Sequence, residues 1–182
     1  KTNGNQVVAD MVVLANGMGA QPLLKTLNFQ QKLQPVRGQT TTLRLSDNAP
    51  RPKTSISFGH YISAANGHNV VTGATYDHDR DQPDIIEADD RDNIKALTAA
   101  FPEFSDQIEP VDHWAGVRVT TRHRSPLYGE ISTRDKSECL WFASLALGSH
   151  GMVLSRAIAE IIADYAVFGT SILDDYVVNI KS

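Results

Sequence analysis

Cysteine is almost missing from this 182-residue chain. Cys139 is the only one, which excludes an internal disulfide framework and any cysteine-rich zinc site. No run of about 18 apolar residues occurs, so no transmembrane helix is expected. The opening residues, Lys1-Thr2-Asn3-Gly4-Asn5, carry no apolar signal segment. Together these absences lead us to expect a cytoplasmic protein without a membrane partner. An excess of positive charge is also lacking: 17 Lys and Arg stand against 21 Asp and Glu, for a net charge of −4. The chain as a whole is therefore no general polyanion binder, and any RNA contact needs a local basic patch. The six histidines (His60, His68, His78, His113, His123 and His150) show no HxH or HExxH spacing, and no metal is expected. Internal repeats and low-complexity tracts are absent. What is there is ordinary globular material, 41% hydrophobic and 21% charged, enough for one domain or two small lobes.

The apolar pattern divides the chain into elements. Val7-Val8-Ala9 and Met11-Val12-Val13-Leu14 form a nearly continuous β-branched run, as in a parallel strand covered on both faces. A short helix over 22–27 follows, with Pro22 in its first turn. Threonine-rich 39–45 reads as a strand, and Pro50 and Pro52 mark a loop. Residues 55–64 and 69–75 read as two strands joined at Asn66-Gly67, a strong hairpin signal. A helix is expected over 87–100, with Asp84 and Glu87 at capping-box spacing. Strands follow at 114–121 and 140–145. The last helix is expected over 151–168, with Leu154, Ile158, Ile161, Ile162 and Tyr165 on one face and Gly169 as its C-terminal cap. The fold class is α+β: a mostly antiparallel sheet with helices, flanked by pieces of a layered α/β unit. The opening strand has no βα unit before it, so the chain reads as part of something larger.

Several local motifs invite a chemical reading. Gly17-Met18-Gly19 lies between a strand and a helix, but Pro22 stands where a third dinucleotide-loop glycine belongs, and no acidic residue follows near 37. A tight turn near a cofactor fits better than a pyrophosphate cradle. Asp77-His78-Asp79-Arg80-Asp81 begins like a calcium loop, yet Gln82 and Ala88 stand where glycine and glutamate are required. A solvated acidic loop is expected there. Gly148-Ser149-His150-Gly151 precedes a helix, and its small residues and free N–H groups suit negative charge. An ordinary glycine-rich turn explains it equally well. Arg118 sits in the apolar stretch Trp114-Ala115-Gly116-Val117-Arg118. If buried, its guanidinium requires an anion such as a carboxylate; alternation with Val117 and Val119 also permits a solvent-facing side chain. Arg118, Arg122, His123 and Arg124 form a potential phosphate patch, or else a solvated loop face.

Five blocks, in this order from about residue 7 to residue 169, carry a family likeness. They are 12–17 (Val-Val-Leu-Ala-Asn-Gly), 35–39 (Pro-Val-Arg-Gly-Gln), Tyr61 with 73–76 (Gly-Ala-Thr-Tyr), 114–118 with Pro126 and Gly129, and 148–151. Jointly they resemble the flavin-dependent amine oxidoreductases of the D-amino-acid-oxidase and glycine-oxidase type. Within that group they are similar to the oxidoreductase part of bifunctional tRNA-modifying enzymes.

The resemblance implies FAD as cofactor and tRNA as substrate of the full-length protein. It also implies a C-terminal piece that lacks the glycine-rich FAD fingerprint and is inactive alone. Its segments would be a cofactor-lobe remnant at 1–34, a substrate sheet at 35–135, a return to the cofactor lobe at 136–169 and a tail at 170–182. Arg118 would hold a substrate carboxylate and Tyr61 would lie over it. Ala15, Asn16 and Gly17 would pass near the cofactor, Arg37, Gly38 and Gln39 would mark the crossing between lobes, and Gly148, Ser149, His150, Gly151 and Met152 would face the flavin ring. The implied reaction is oxidation of a secondary amine carrying a carboxymethyl group, with release of glyoxylate. A glycine- or D-amino-acid-oxidase-like enzyme and a non-catalytic binding module are the alternatives, and the incomplete lobe suggests self-association.

Overall fold

The computed structural model describes residues 8–78, 80–131 and 139–169. The expected tail at 170–182 lies outside them. The chain forms two compact units, one of residues 1–34 with 118–182 and one of residues 35–117. The strand at 127–130 hydrogen-bonds into the sheet of the first unit.

The first unit has a three-stranded sheet in the order β1-β8-β7, with β1 Met11–Leu14, β7 Leu127–Glu130 and β8 Leu140–Leu145. β1 runs parallel to β8, from Met11 opposite Leu140 to Leu14 opposite Ala143, and β7 runs antiparallel to β8. Alternation along β8 sends its side chains to two separate cores. Ala143 and Leu145 join Leu14, Ala20, Leu24 and Phe29 beneath the short helix α1 (Gln21–Thr26). Phe142 points the other way, against Ile158 and Ile162 of α3 (Gly151–Phe168), with its ring 5.6 Å from that of Tyr165. β1 is shorter and less buried than the β-branched run suggested: Val8 and Ala9 lie outside it and are exposed, and Val13 is 42% exposed. Gly169 ends α3 in the left-handed region at φ 70°, where glycine carries no Cβ penalty.

The second unit is built on a five-stranded sheet in the order β3-β4-β5-β2-β6. Its strands are β2 Gln34–Leu45, β3 Ile56–Ser57, β4 Tyr61–Ile62, β5 Asn69–Gly73 and β6 Ile108–Thr120, the last running on past the division between units. The single strand expected over 55–64 is instead a tight hairpin, because Gly59 at φ 92° reverses the chain between β3 and β4. The expected hairpin at Asn66-Gly67 closes with reciprocal backbone hydrogen bonds between Asn66 and Asn69. Helix α2 (Glu87–Ala100) has the expected bounds, but its N-cap is Ile86 and no side chain caps it, so the capping box from Asp84 does not form.

α2 holds one face of this sheet in two ways. Its C-terminal half is apolar there: Leu97 is fully buried with Leu43, Leu45, Ile62, Val70 and Phe104. Its N-terminal half is polar, and β2 answers with polar side chains. Arg37, Gln39 and Thr41, alternate residues of β2, are all fully buried. Burying these groups is tolerable only with hydrogen bonding, and Asp89, Asp90 and Asn93 of α2 supply part of it, together with the Asp84 carbonyl and the Ile86 backbone.

Candidate functional site

In the first unit, the parallel direction of β1 and β8 sends both C-terminal ends to one edge of the sheet, where open α/β sheets place their ligands. The turn after β1 carries Ala15, Asn16 and Gly17. Gly17 sits at φ 60°, and a Cβ built on it would lie 3.6 Å from Val119 Cγ2, so the end of β6 packs directly on this turn. Gly19 is tighter still: a Cβ there would approach Asn16 Nδ2 to 3.0 Å. The turn after β8 carries Gly148 at φ 56°, with open space around its Cβ position.

No side chain caps the turn at 148–150 or the start of α3. The first N–H groups of an 18-residue helix are thus not spent on a cap, and the helix dipole adds partial positive charge there. Ser149 and His150 are exposed, and Met152 is 95% exposed. Open backbone at Gly148 and an uncapped helix start suit an electron-rich planar group. Among the described residues no group of three or more His, Cys, Asp or Glu is arranged to hold a metal.

Arg118 opens the second segment of this unit and is half-buried. It lies next to Val119, the residue that touches the Gly17 turn. Tyr61 stands on the other unit, so the two residues expected at the substrate carboxylate belong to different compact units.

The sheet of the second unit has a face opposite α2, and alternation identifies what lies on it. Ile62 is in the core beneath α2, so its neighbour Tyr61, 37% exposed, points to the opposite face. Tyr61 pairs with Gly73, and Gly73 pairs with Thr40. On β6, His113 Nδ1 lies 3.4 Å from Asp90 Oδ2 on the α2 side, which puts Trp114 opposite, next to Thr40, whose Oγ1 donates to the Trp114 carbonyl at 3.4 Å. The Trp114 ring folds over Gly116, where a Cβ would meet a ring carbon at 2.3 Å, yet the residue remains 66% exposed. This face therefore presents two aromatic rings, Tyr61 and Trp114, over small residues. The tryptophan was not singled out from sequence; Trp and Gly two residues apart in one strand is the pattern that signals it.

Arg37 and Gln39 have a role that their block did not reveal. The Arg37 guanidinium is completely buried. It donates to Asp89 Oδ2, to Gln39 Oε1 at 2.7 Å and, from two of its nitrogens, to the Asp84 carbonyl. Gln39 Oε1 also accepts from the Ile86 N–H at 2.8 Å, and its Nε2 donates to the Ile86 carbonyl and to Asp90 Oδ1, both at 2.9 Å. Thr75 Oγ1 completes the set, donating to Asp89 at 3.1 Å. These side chains clamp the entry of α2 to the sheet. Gly38, between them on the strand, is buried. Asp89 and Asp90 of α2 are turned inward to these partners.

The sequence model described as DAO, FAD dependent oxidoreductase, matches residues 1–165, and the chain belongs to this family. Among individual proteins it is 26% identical over 162 residues to the tRNA 5-methylaminomethyl-2-thiouridine biosynthesis bifunctional protein MnmC of Idiomarina loihiensis, covering 88% of this chain and 26% of that protein. It is 28% identical to glycine oxidase of Pseudomonas aeruginosa, covering 90% of this chain and 43% of that protein. Among solved structures, iminodiacetate oxidase from Chelativorans sp. BNC1 superposes with a TM-score of 0.77 at 19% identity, covering 96% of this chain and 47% of that one. Glycine oxidase from Geobacillus kaustophilus superposes with a TM-score of 0.75 at 24% identity, covering 89% and 42%. At these identities the structural likeness establishes the fold. The chain spans about a quarter of the tRNA-modifying relative and less than half of the oxidases.

Proposed function

We propose that this chain is the C-terminal part of an FAD-dependent oxidoreductase acting on a secondary amine that bears a carboxymethyl group. The substrate we favour is the carboxymethylaminomethyl arm of a tRNA wobble uridine. The observation that carries the reading is Arg118: a half-buried arginine near the end of β6, beside the residue packed on the Gly17 turn. A partly desolvated guanidinium favours a planar bidentate anion, and a carboxylate is that shape.

FAD, held by the residues named below, would supply the two-electron oxidant for the carbon between the amine nitrogen and the carboxylate. The chain's own residues do the rest. Arg118 would fix the carboxylate and so aim that carbon. Tyr61 is the residue that the family resemblance would have cover it. The uncapped start of α3, with Gly148 to Met152, and the turn at 15–17 would hold the electron-rich ring and stabilise the negative charge that develops on it. Arg37, Gly38 and Gln39 would act at the lobe crossing through their backbone, because the Arg37 and Gln39 side chains are bonded to α2 and its entry. Loss of two electrons and two protons from the amine, one proton leaving with the hydride and one from nitrogen, gives an imine. Water adds to the imine carbon and the C–N bond breaks, leaving a primary amine on the nucleoside and free glyoxylate.

The family likeness to glycine oxidase supports a second reading, oxidation of free glycine or its N-alkyl derivatives. The full-length protein decides between them. Supplied with tRNA carrying the arm, it should release one glyoxylate per arm oxidised; turnover of free glycine or sarcosine with none on tRNA would favour the second reading.

A further inference from the structure

We propose that the turn between β6 and β7, Arg122-His123-Arg124, is a phosphate-contact surface for RNA; this rests on the tRNA reading above. The turn is held at its base by the protein. Buried Thr121 accepts from the Ser125 N–H at 3.1 Å and donates its hydroxyl to the Ser125 carbonyl at 2.9 Å, and the Arg124 N–H donates to the Thr121 carbonyl at 2.9 Å. The three residues between are exposed. Their backbone is therefore ordered before any ligand arrives, which lowers the entropic cost of binding.

Among the described residues, no carboxylate lies within ion-pair distance of Arg122, His123 or Arg124, whereas Arg37, Arg80, Arg91 and Arg156 each pair with an acidic partner. In a chain with more acidic than basic residues, two neighbouring bare guanidinium groups on a rigid turn form a local positive site. Guanidinium forks match phosphate oxygens, and neutralising a nucleic-acid backbone releases counterions. A small carboxylated amine, already held by a single guanidinium, uses no such surface. A polyanionic substrate does.

The test uses the full-length flavoenzyme, with tRNA carrying the carboxymethylaminomethyl arm and sarcosine as the two substrates. Direct binding of the same tRNA is measured across a salt series. Arg122→Gln with Arg124→Gln should weaken tRNA binding and raise its KM on the order of tenfold. It should also flatten the slope of log affinity against log salt by about 1.5, the expectation for two lost phosphate contacts. Turnover at saturating tRNA, and any turnover of sarcosine, should stay the same. The double lysine variant should restore most of the slope, because charge carries it.

Unchanged tRNA affinity and slope in the glutamine variant would overturn the proposal. So would a wild-type protein that binds phosphatidylserine vesicles in place of tRNA, or binds no RNA at all. If the wild type binds tRNA through this turn but oxidises only sarcosine, the substrate reading fails while the RNA surface stands.

Discussion

Replacing Arg37 by methionine is the sharpest perturbation of the second unit. The guanidinium is fully buried, and Asp89, 17% exposed at its side chain, is its ion partner. Removing one member of a buried pair strands the other and costs about 3–5 kcal/mol. The loss falls on the entry of α2, because the Asp84 carbonyl and Gln39 lose donors together. At 1.4 kcal/mol per tenfold, amide hydrogen exchange across 84–97 should accelerate by roughly two to three and a half orders of magnitude. Mass spectrometry of peptides from that segment reads this in the full-length protein, whatever the stability of its other domains. Two controls isolate the cause. Arg91→Ala removes an exposed pair with Glu87, which is worth little, and should change exchange by less than threefold. Arg37→Met combined with Asp89→Leu removes both charges and should recover a large part of the loss. Exchange in the single variant within threefold of wild type would refute the claim that the clamp holds α2.

Two glycines give further checks. Gly73→Ala places a Cβ 3.1 Å from the Gln39 carbonyl oxygen and 3.2 Å from Thr40 Cα, at φ 153°, so it should destabilise the unit by about 1–3 kcal/mol in denaturant unfolding, since the neighbouring backbone cannot yield cheaply. Gly116→Ala drives a methyl group into the Trp114 ring and should displace it, changing tryptophan fluorescence and near-ultraviolet circular dichroism while far-ultraviolet circular dichroism stays the same.

What could be seen in the sequence was whatever depends on near neighbours. α2, α3 and β8 have the expected bounds because each pattern repeats within a few turns or residues of itself. The β3–β4 hairpin escaped because Gly59 lacks an accompanying Asn or Asp to mark the reversal. The buried clamp escaped for a different reason. Arg37 and Asp89 are 52 positions apart, and nothing local tells that an arginine in β2 will meet an aspartate of α2. The one hint was helical spacing: Asp89, Asn93 and Leu97 recur every four residues, so the buried stripe of α2 extends into its polar end. The ordered blocks pointed to the right family, which local chemistry alone did not. They did not reveal that the Arg37 and Gln39 side chains belong to the protein's own interior.

The central claim is that Arg118 grips the carboxylate of an amine. Arg118→Ala in the full-length flavoenzyme, assayed by anaerobic flavin reduction with a carboxymethyl amine and with the matching amine lacking the carboxylate, tests it most directly. A charge-assisted hydrogen bond of about 1.5–3 kcal/mol predicts a KM for the carboxylated amine raised roughly ten- to 150-fold, with no change for the amine that lacks the group. Equal KM values for wild type and variant on the carboxylated amine would contradict the account.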